Sequence, residues 1–281
     1  MLNMISALEW NSSSSYAGNG PKRSNPWISC PRPNPGANIR LFCFPYAGGG
    51  ASIFHSWGAN LPQEIEVCAV QLPGRENRLR EPPYSGLQGL VQRLTGALSP
   101  LLDRPFAFFG HSMGALISFE LTRNLRRQGL RGPAHLLVSA HRAPARPYPL
   151  PPLSQIPTRD LIEQLRYLGG TPDELLKDNQ MMQFLLPVLR ADFSVCETYT
   201  YLKEPPLDCA ISAFGGLRDR YVSREDLADW QTETHGTVMV ELLPGGHFFI
   251  HQEREQLLQS IRKSLLQHCS LSKLLLQREL L

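Results

Sequence analysis

Phe106-Ala-Phe-Phe-Gly-His-Ser-Met-Gly-Ala115 is the stretch from which the fold can be read. Four strand-compatible residues run into Gly110-His-Ser-Met-Gly114, and Ala115-Leu-Ile-Ser-Phe-Glu-Leu-Thr-Arg-Asn-Leu-Arg-Arg-Gln-Gly129 continues as a helix. A strand, a G-x-S-x-G turn and a helix in that order have the form of a nucleophile elbow. The turn is so tight that side chains two positions either side of the serine would clash, so glycines occupy 110 and 114. Ser112 is then expected to stand alone at the upper edge of a sheet. The plainer reading is an ordinary glycine-flanked strand-to-helix turn.

Outward from the elbow, short apolar runs recur at Asn38-Ile-Arg-Leu-Phe-Cys-Phe-Pro45, Ile65–Leu72, Ala134–Ala140, Cys209–Phe214 and Thr237–Leu243. Such runs suit strands buried on both faces of a parallel sheet. Helical stretches at Leu87–Leu102, Ala115–Gln128, Arg224–Gln231 and Gln252–Gln267 separate most of them, which argues for an α/β fold with helices on both faces. Residues 141–208 break this rhythm and hold an insertion. It opens with a proline-rich turn (Pro144 to Pro157), continues through Asp160–Leu168 to a stop at Gly169-Gly170, and ends in a helix from Met181 to Tyr201. In that helix Met181, Phe184, Leu185 and Val188 share a face. The face is expected to pack into a core, or to offer an apolar lining to a substrate as part of a lid.

Residues 11–37 are crowded with Ser, Gly, Asn and Pro and supply few apolar groups, so residues 1–37 are expected to be a flexible lead-in. The ordered domain is expected over 38–268, with the insertion at about 144–206 and a tail at 269–281. The chain has 281 residues, 42% hydrophobic and 19% charged, and 28 Lys+Arg against 25 Asp+Glu leave a net charge of +3. That charge is too small to point to nucleic acid. No basic, apolar leader opens the chain and no apolar run of about 18 residues follows, which points away from secretion and membrane insertion. The cysteines at 30, 43, 68, 196, 209 and 269 form no C-x-x-C pair, and the setting expected is reduced and cytoplasmic.

A serine hydroxyl needs a base within reach and an acid to orient that base. Hydrolases with a nucleophile elbow place them in the order Ser, Asp or Glu, His, with the histidine after the last strand. Pro244-Gly-Gly-His247 stands there, so His247 is the expected base, with His141 in reserve. Asp219 follows the preceding strand and is the expected acid. Its competitors Glu225, Asp226 and Asp229 fall where a helix begins, and acidic residues there commonly serve the helix dipole. Asp192, on the insertion helix, and Asp208, at a strand's start, read as structural. The oxyanion donors expected are the backbone N–H of Met113 and, from Pro45-Tyr-Ala-Gly-Gly-Gly-Ala51, that of Ala47, with Tyr46 as alternative.

Taken together, Leu41-Phe-Cys-Phe-Pro-Tyr-Ala-Gly-Gly-Gly50, Gln71-Leu-Pro-Gly-Arg-Glu76, the elbow, Leu168-Gly-Gly-Thr-Pro172, Leu189-Arg-Ala-Asp-Phe193, Phe214-Gly-Gly216 with Asp219, and Leu243-Pro-Gly-Gly-His-Phe248 resemble the stand-alone type II thioesterases. These accompany polyketide, non-ribosomal peptide and fatty acid synthases, and the resemblance spans about residues 39–265. It implies an α/β-hydrolase fold with a helical lid and a Ser112, Asp219, His247 triad. It also implies acyl thioesters on the phosphopantetheine arm of acyl or peptidyl carrier proteins as substrates, removal of stalled chains as the task, and neither metal nor cofactor of the enzyme's own. Arg75, Arg78, Arg80, Arg142 and Arg146 are candidates for docking an acidic carrier protein, against a plain solvated role. Release of medium or long fatty acids, cleavage of oxygen esters, acyl transfer or cyclisation, and an inactive carrier-binding module are the alternatives. A monomer is the default in the absence of an assembly motif.

Overall fold

Six of the seven strands are the apolar runs named above, and they order themselves into one sheet. They are β1 (Ile28–Ser29), β2 (Ile39–Phe44), β3 (Ile65–Val70), β4 (Phe106–His111), β5 (His135–Ser139), β6 (Ala210–Gly216) and β7 (Val238–Leu243). The computed structural model describes residues 25–148 and 151–278, with side chains as far as Leu266. Spatial order is β1-β3-β2-β4-β5-β6-β7, with β1 antiparallel to β3 and every other pair parallel. The helices are α1 (Trp57–Asn60), α2 (Leu87–Leu98), α3 (Met113–Arg127), α4 (Thr158–Leu168), α5 (Asp173–Lys177), α6 (Asn179–Glu197), α7 (Arg224–Ala228), α8 (Phe249–Gln252) and α9 (Arg254–Arg278).

Alternate side chains of each strand enter opposite cores, as the period of two requires. Phe42, Phe44, Cys68, Val70, Phe106 and Phe108 meet Leu90 and Leu94 of α2 and Ile117 and Leu121 of α3 on one side. Leu41, Cys43, Val67, Ala69, Ala107 and Phe109 meet Trp57 of α1 and Leu257, Ile261 and Leu265 of α9 on the other. The chain is thus an α/β fold with a mostly parallel sheet covered on both faces. Helix α2 stops at Leu98, short of the expected Leu102, because Pro100 lacks the N–H that continues an α-helix and the chain tightens to a 3-10 turn over Ser99–Leu101.

The expected flexible lead-in needs correcting over its last residues. Ile28 and Ser29 pair with Val70 and Ala69, and Gln71 N–H donates to Trp27 O at 2.8 Å. The guanidinium of Arg78 lies 4.0 Å over the Trp27 ring. A segment poor in apolar groups of its own becomes ordered because a distant strand and a cation supply the partners. Residues 1–24 of the expected lead-in lie outside the described residues. At the other end, residues 269–278, expected as a tail, continue α9; residues 279–281 lie outside the described residues.

Helices α4, α5 and α6 make up the insertion between β5 and β6, and residues 149–150 of its proline-rich opening lie outside the described residues. Gly169 ends α4 with a left-handed φ of 77°, as the glycine pair foretold. The shared face expected on α6 is rotated in the structure. Met182, Leu189 and Phe193 form a separate core with Leu153, Leu161, Leu165 and Leu176, and Leu185 packs partly against it. Met181 and Phe184 are instead 40% and 60% exposed, and Val188 is buried with its Cγ2 against the position a Cβ of Gly74 would take. A one-residue shift turns a helix by about 100°, so one apolar stripe contains two adjacent faces and only the neighbours select between them.

Candidate active site

Strand β4 ends at His111 and α3 begins at Met113, leaving Ser112 alone between them with φ 53° and ψ −118°. That strained conformation is held from both sides. A Cβ on Gly110 would stand 2.1 Å from the Gly114 carbonyl oxygen, and one on Gly114 would stand 2.2 Å from that of Phe44. Ser112 N–H donates to Ser139 O at 2.7 Å, tying the elbow to the end of β5.

Three sequence-predicted residues meet at this point. His247 lies on the loop between β7 and α8, with its Nε2 3.0 Å from Ser112 Oγ and its Nδ1 2.8 Å from Asp219 Oδ2. The Asp219 side chain is fully buried, and its other oxygen accepts the Tyr221 N–H at 2.9 Å. An ionised carboxylate only accepts, so Nδ1 of His247 carries the proton and Nε2 presents a lone pair to the serine hydroxyl. The competing acids are engaged elsewhere: Asp226 closes a capping box with Ser223, and Asp229 pairs with Arg146. The reserve base, His141, hydrogen-bonds the Arg142 carbonyl through Nδ1 at 2.7 Å, and burial pushes its pKa down to about 4.

Of the two expected donors, Met113 directly follows the serine, and Ala47 lies just beyond Phe44 and Pro45, whose carbonyls face Gly114. Met113 N–H opens the N-terminus of α3, where the helix dipole favours negative charge. Ala47 N–H sits in the loop after β2. Neither has an acceptor among the described residues. The arrangement can therefore lower the cost of a serine alkoxide attack and hold an oxyanion at a tetrahedral carbon.

Two supporting residues were not foreseen. His111, fully buried, accepts from Ser139 Oγ at Nδ1 (2.9 Å) and donates from Nε2 to the His247 carbonyl (3.0 Å), bracing the backbone that carries the base. Burial holds its pKa well below the usual histidine range, followed by the nearby His247 and His251. Phe248 packs edge-on against His247 and Tyr46 with centroids 5.1 and 5.0 Å away. A Cβ on Gly170 would lie 2.2 Å from its Cζ, so the glycine pair after α4 seats the lid on this ring. The only sequence signal for Gly170 was the pair of helix-stopping glycines.

The docking arginines need correction. Arg75 and Arg78 are buried, the first on Asp192 and the second on Glu81 and the Gln71 carbonyl. Arg142 donates to the Pro147 and Tyr221 carbonyls, and Arg146 pairs with Asp226 and Asp229. Arg80 is exposed. Internal carbonyls and carboxylates claim four of the five. Among the described residues no three His, Cys, Asp or Glu gather as metal ligands, and no helix is long and apolar enough to cross a membrane.

The family profile described as a thioesterase domain matches residues 39–265. The chain belongs to the thioesterase family. This thioesterase is 46% identical over 241 residues to the gramicidin S biosynthesis protein GrsT of Aneurinibacillus migulanus, across 86% of this chain and 94% of that protein. The medium-chain S-acyl fatty acid synthase thioesterase of Rattus norvegicus is 35% identical over 234 residues, across 81% of this chain and 88% of that one. Among solved structures, the type II thioesterase BorB from the borrelidin biosynthetic cluster matches with a TM-score of 0.77 and 35% identity, across 84% of this chain and 96% of that one. The type II thioesterase resemblance read from the motifs therefore holds, with the α/β-hydrolase fold it implied, and the chain is a hydrolase acting on thioesters.

Proposed function

We propose that this thioesterase hydrolyses acyl groups held on the phosphopantetheine arm of carrier proteins in polyketide or non-ribosomal peptide assembly, clearing stalled or aberrant chains. The observation that carries the catalytic part is the unbroken hydrogen-bonded line from Ser112 Oγ through His247 to the buried carboxylate of Asp219. The pathway part leans on the gramicidin S relative and on BorB.

Ser112 Oγ attacks the thioester carbonyl carbon while His247 Nε2 takes its proton. Met113 and Ala47 N–H groups receive the oxyanion, and Asp219 stabilises the imidazolium through Nδ1. The C–S bond then breaks and His247 returns the proton to the departing sulfur. With a thiol pKa of about 8.5, sulfur leaves far more readily than an alkoxide. Water next attacks the acyl-serine, His247 takes its proton and returns it to Ser112 Oγ, and the free acid departs. Two residues on the first turns of α6, Met181 and Phe184, are exposed and available to an acyl chain. The fatty acid synthase relative favours a second reading, in which the same chemistry releases finished medium-chain fatty acids.

The test is release of free acid from acyl-phosphopantetheinyl carrier protein, with short and long acyl groups, by wild type beside Ser112→Ala. Release by wild type alone supports the proposal, and the chain preference separates clearance from fatty acid release. Oxygen-ester turnover exceeding that of matched thioesters, or equal release by Ser112→Ala, refutes it.

A further inference from the structure

Two motifs have no part in the mechanism above, Gln71-Leu-Pro-Gly-Arg-Glu76 and Leu189-Arg-Ala-Asp-Phe193. In the folded chain they meet. Arg75 Nη1 and Nη2 reach Asp192 Oδ2 and Oδ1 at 2.6 and 2.8 Å, a bidentate pair whose side chains are both buried. The same Asp192 Oδ2 accepts the Gly48 N–H at 2.7 Å, and Arg75 Nη1 also donates to the Gly49 carbonyl at 3.1 Å. Both contacts fall on the two residues after Ala47.

The rest of the first motif grips the same loop further on. Gln71 accepts the Ala51 N–H at 2.9 Å and donates to the Arg75 carbonyl at 3.1 Å, while Glu76 accepts from Ser52 N and Oγ at 3.2 and 2.6 Å. Leu189, one helical turn before Asp192, brings its Cδ2 within 2.7 Å of where a Cβ on Gly48 would be, so the lid helix lies directly on the loop. A glycine-rich loop has little side-chain packing of its own to choose one backbone path. Here the path is chosen by a charge pair whose two halves come from different parts of the chain.

We infer that Arg75 and Asp192 are positioning residues for the oxyanion hole: the ion pair aims the Ala47 N–H and couples that donor to the seating of lid helix α6. Helix α6 is then a fixed wall at its Asp192 end rather than a part that swings away. The inference rests on the proposed roles of Ser112 and Ala47. A donor contributes to catalysis only through its strength in the transition state, so loosening it lowers kcat and leaves ground-state binding largely alone.

The experiment measures kcat, KM and melting temperature for Arg75→Lys, Asp192→Asn and Glu66→Gln, with Ser112→Ala alongside. Glu66→Gln breaks another buried pair, with Arg40 at 2.6 Å, at the start of β2 and β3 and away from the loop, and so reports bare destabilisation. Affinity for an alkyl trifluoromethyl ketone, whose serine adduct carries an oxyanion, is the second readout. The Arg75 and Asp192 variants are expected to lose roughly 10- to 100-fold in kcat with KM within about twofold, the size expected of a displaced donor. Ketone affinity falls in parallel, and Glu66→Gln melts earlier with kcat retained. Arg75→Lys keeps the charge and loses the fork, so a folded Arg75→Lys enzyme with wild-type kcat overturns the inference even if Asp192→Asn fails to fold. A rise in KM at unchanged kcat, or equal kcat losses in Glu66→Gln, also overturns it. An active Ser112→Ala would instead sink the triad reading beneath it.

Discussion

Gly114→Ala adds one methyl group at the place where the elbow crosses the end of β2. Its Cβ would stand 2.2 Å from Phe44 O, 2.7 Å from Phe44 C and 2.8 Å from Pro45 O. All three are backbone atoms, so no rotamer change relieves the overlap. A carbon–oxygen contact settles at about 3.3 Å, which leaves roughly 1 Å to be found by moving α3 away from β2. Met113 at the start of α3 and Ala47 on the loop after β2, the proposed donors, would be displaced with them, and a misplacement of about 1 Å at a reacting centre costs around 100-fold in rate. Overpacking of this kind also costs about 1–3 kcal/mol, a fall of roughly 3–10 °C in melting temperature for a chain of this size. The same substitution at Gly96, exposed on α2 with nothing within 4 Å, should instead add about 0.5–1 kcal/mol through helix propensity and leave turnover alone. The assay pairs thermal unfolding with kcat on an acyl N-acetylcysteamine thioester. If Gly114→Ala melts and turns over like wild type, the close approach of the elbow to β2 is wrong.

Asp219→Asn should leave the fold intact and reduce kcat by about 10⁴, because an amide can donate to Nδ1 and stabilise the wrong imidazole tautomer; a loss below tenfold would show that the acid is elsewhere. Stability should decline as pH falls below about 6.5, the ordinary histidine value. Buried His111 stays neutral there while the unfolded chain takes up the proton, so the unfolded state binds more protons and stability rises with pH. His141, pushed down to about 4 by burial, acts in the same direction and window. Urea midpoints between pH 7.5 and 4.5 should therefore show a shallower slope for His111→Gln than for wild type, by up to about 1.4 kcal/mol per pH unit. Identical slopes would mean that His111 takes up its proton as readily in the folded protein as in the unfolded chain.

Much of the site was legible before any coordinate because its chemistry is written in local patterns. The elbow needs glycines two residues either side of Ser112, and His247 and Asp219 come just after the last two strands, so strand boundaries located both. The helices of the insertion announced themselves by an interrupted alternation of strand and helix. What stayed hidden depended on partners far along the chain. Arg75 and Asp192 are separated by 117 positions, and neither motif hints at the other. Arginine beside a strand end reads equally as a docking cation or an internal clamp until its acceptor is seen. His111 was placed on the elbow correctly, yet its task of holding the His247 carbonyl spans 136 positions. Strand β1 has only two residues and little apolar content, and it exists because Val70 and Ala69 offer it an edge.

By itself the sequence determined the alternating elements, the two-faced sheet, the strained serine and the order of the three residues that meet it. Those follow from periodicity, from the steric demand of a tight turn and from connectivity, which act over a few residues at a time. Tertiary structure alone decided which face of α6 builds the lid core, which arginines are spent on internal carboxylates, and what holds the glycine loop beside Ser112. A helix turns through about 100° per residue and a glycine loop has many paths of similar energy, so neither choice is made locally. Each is made by the groups that close packing brings against it.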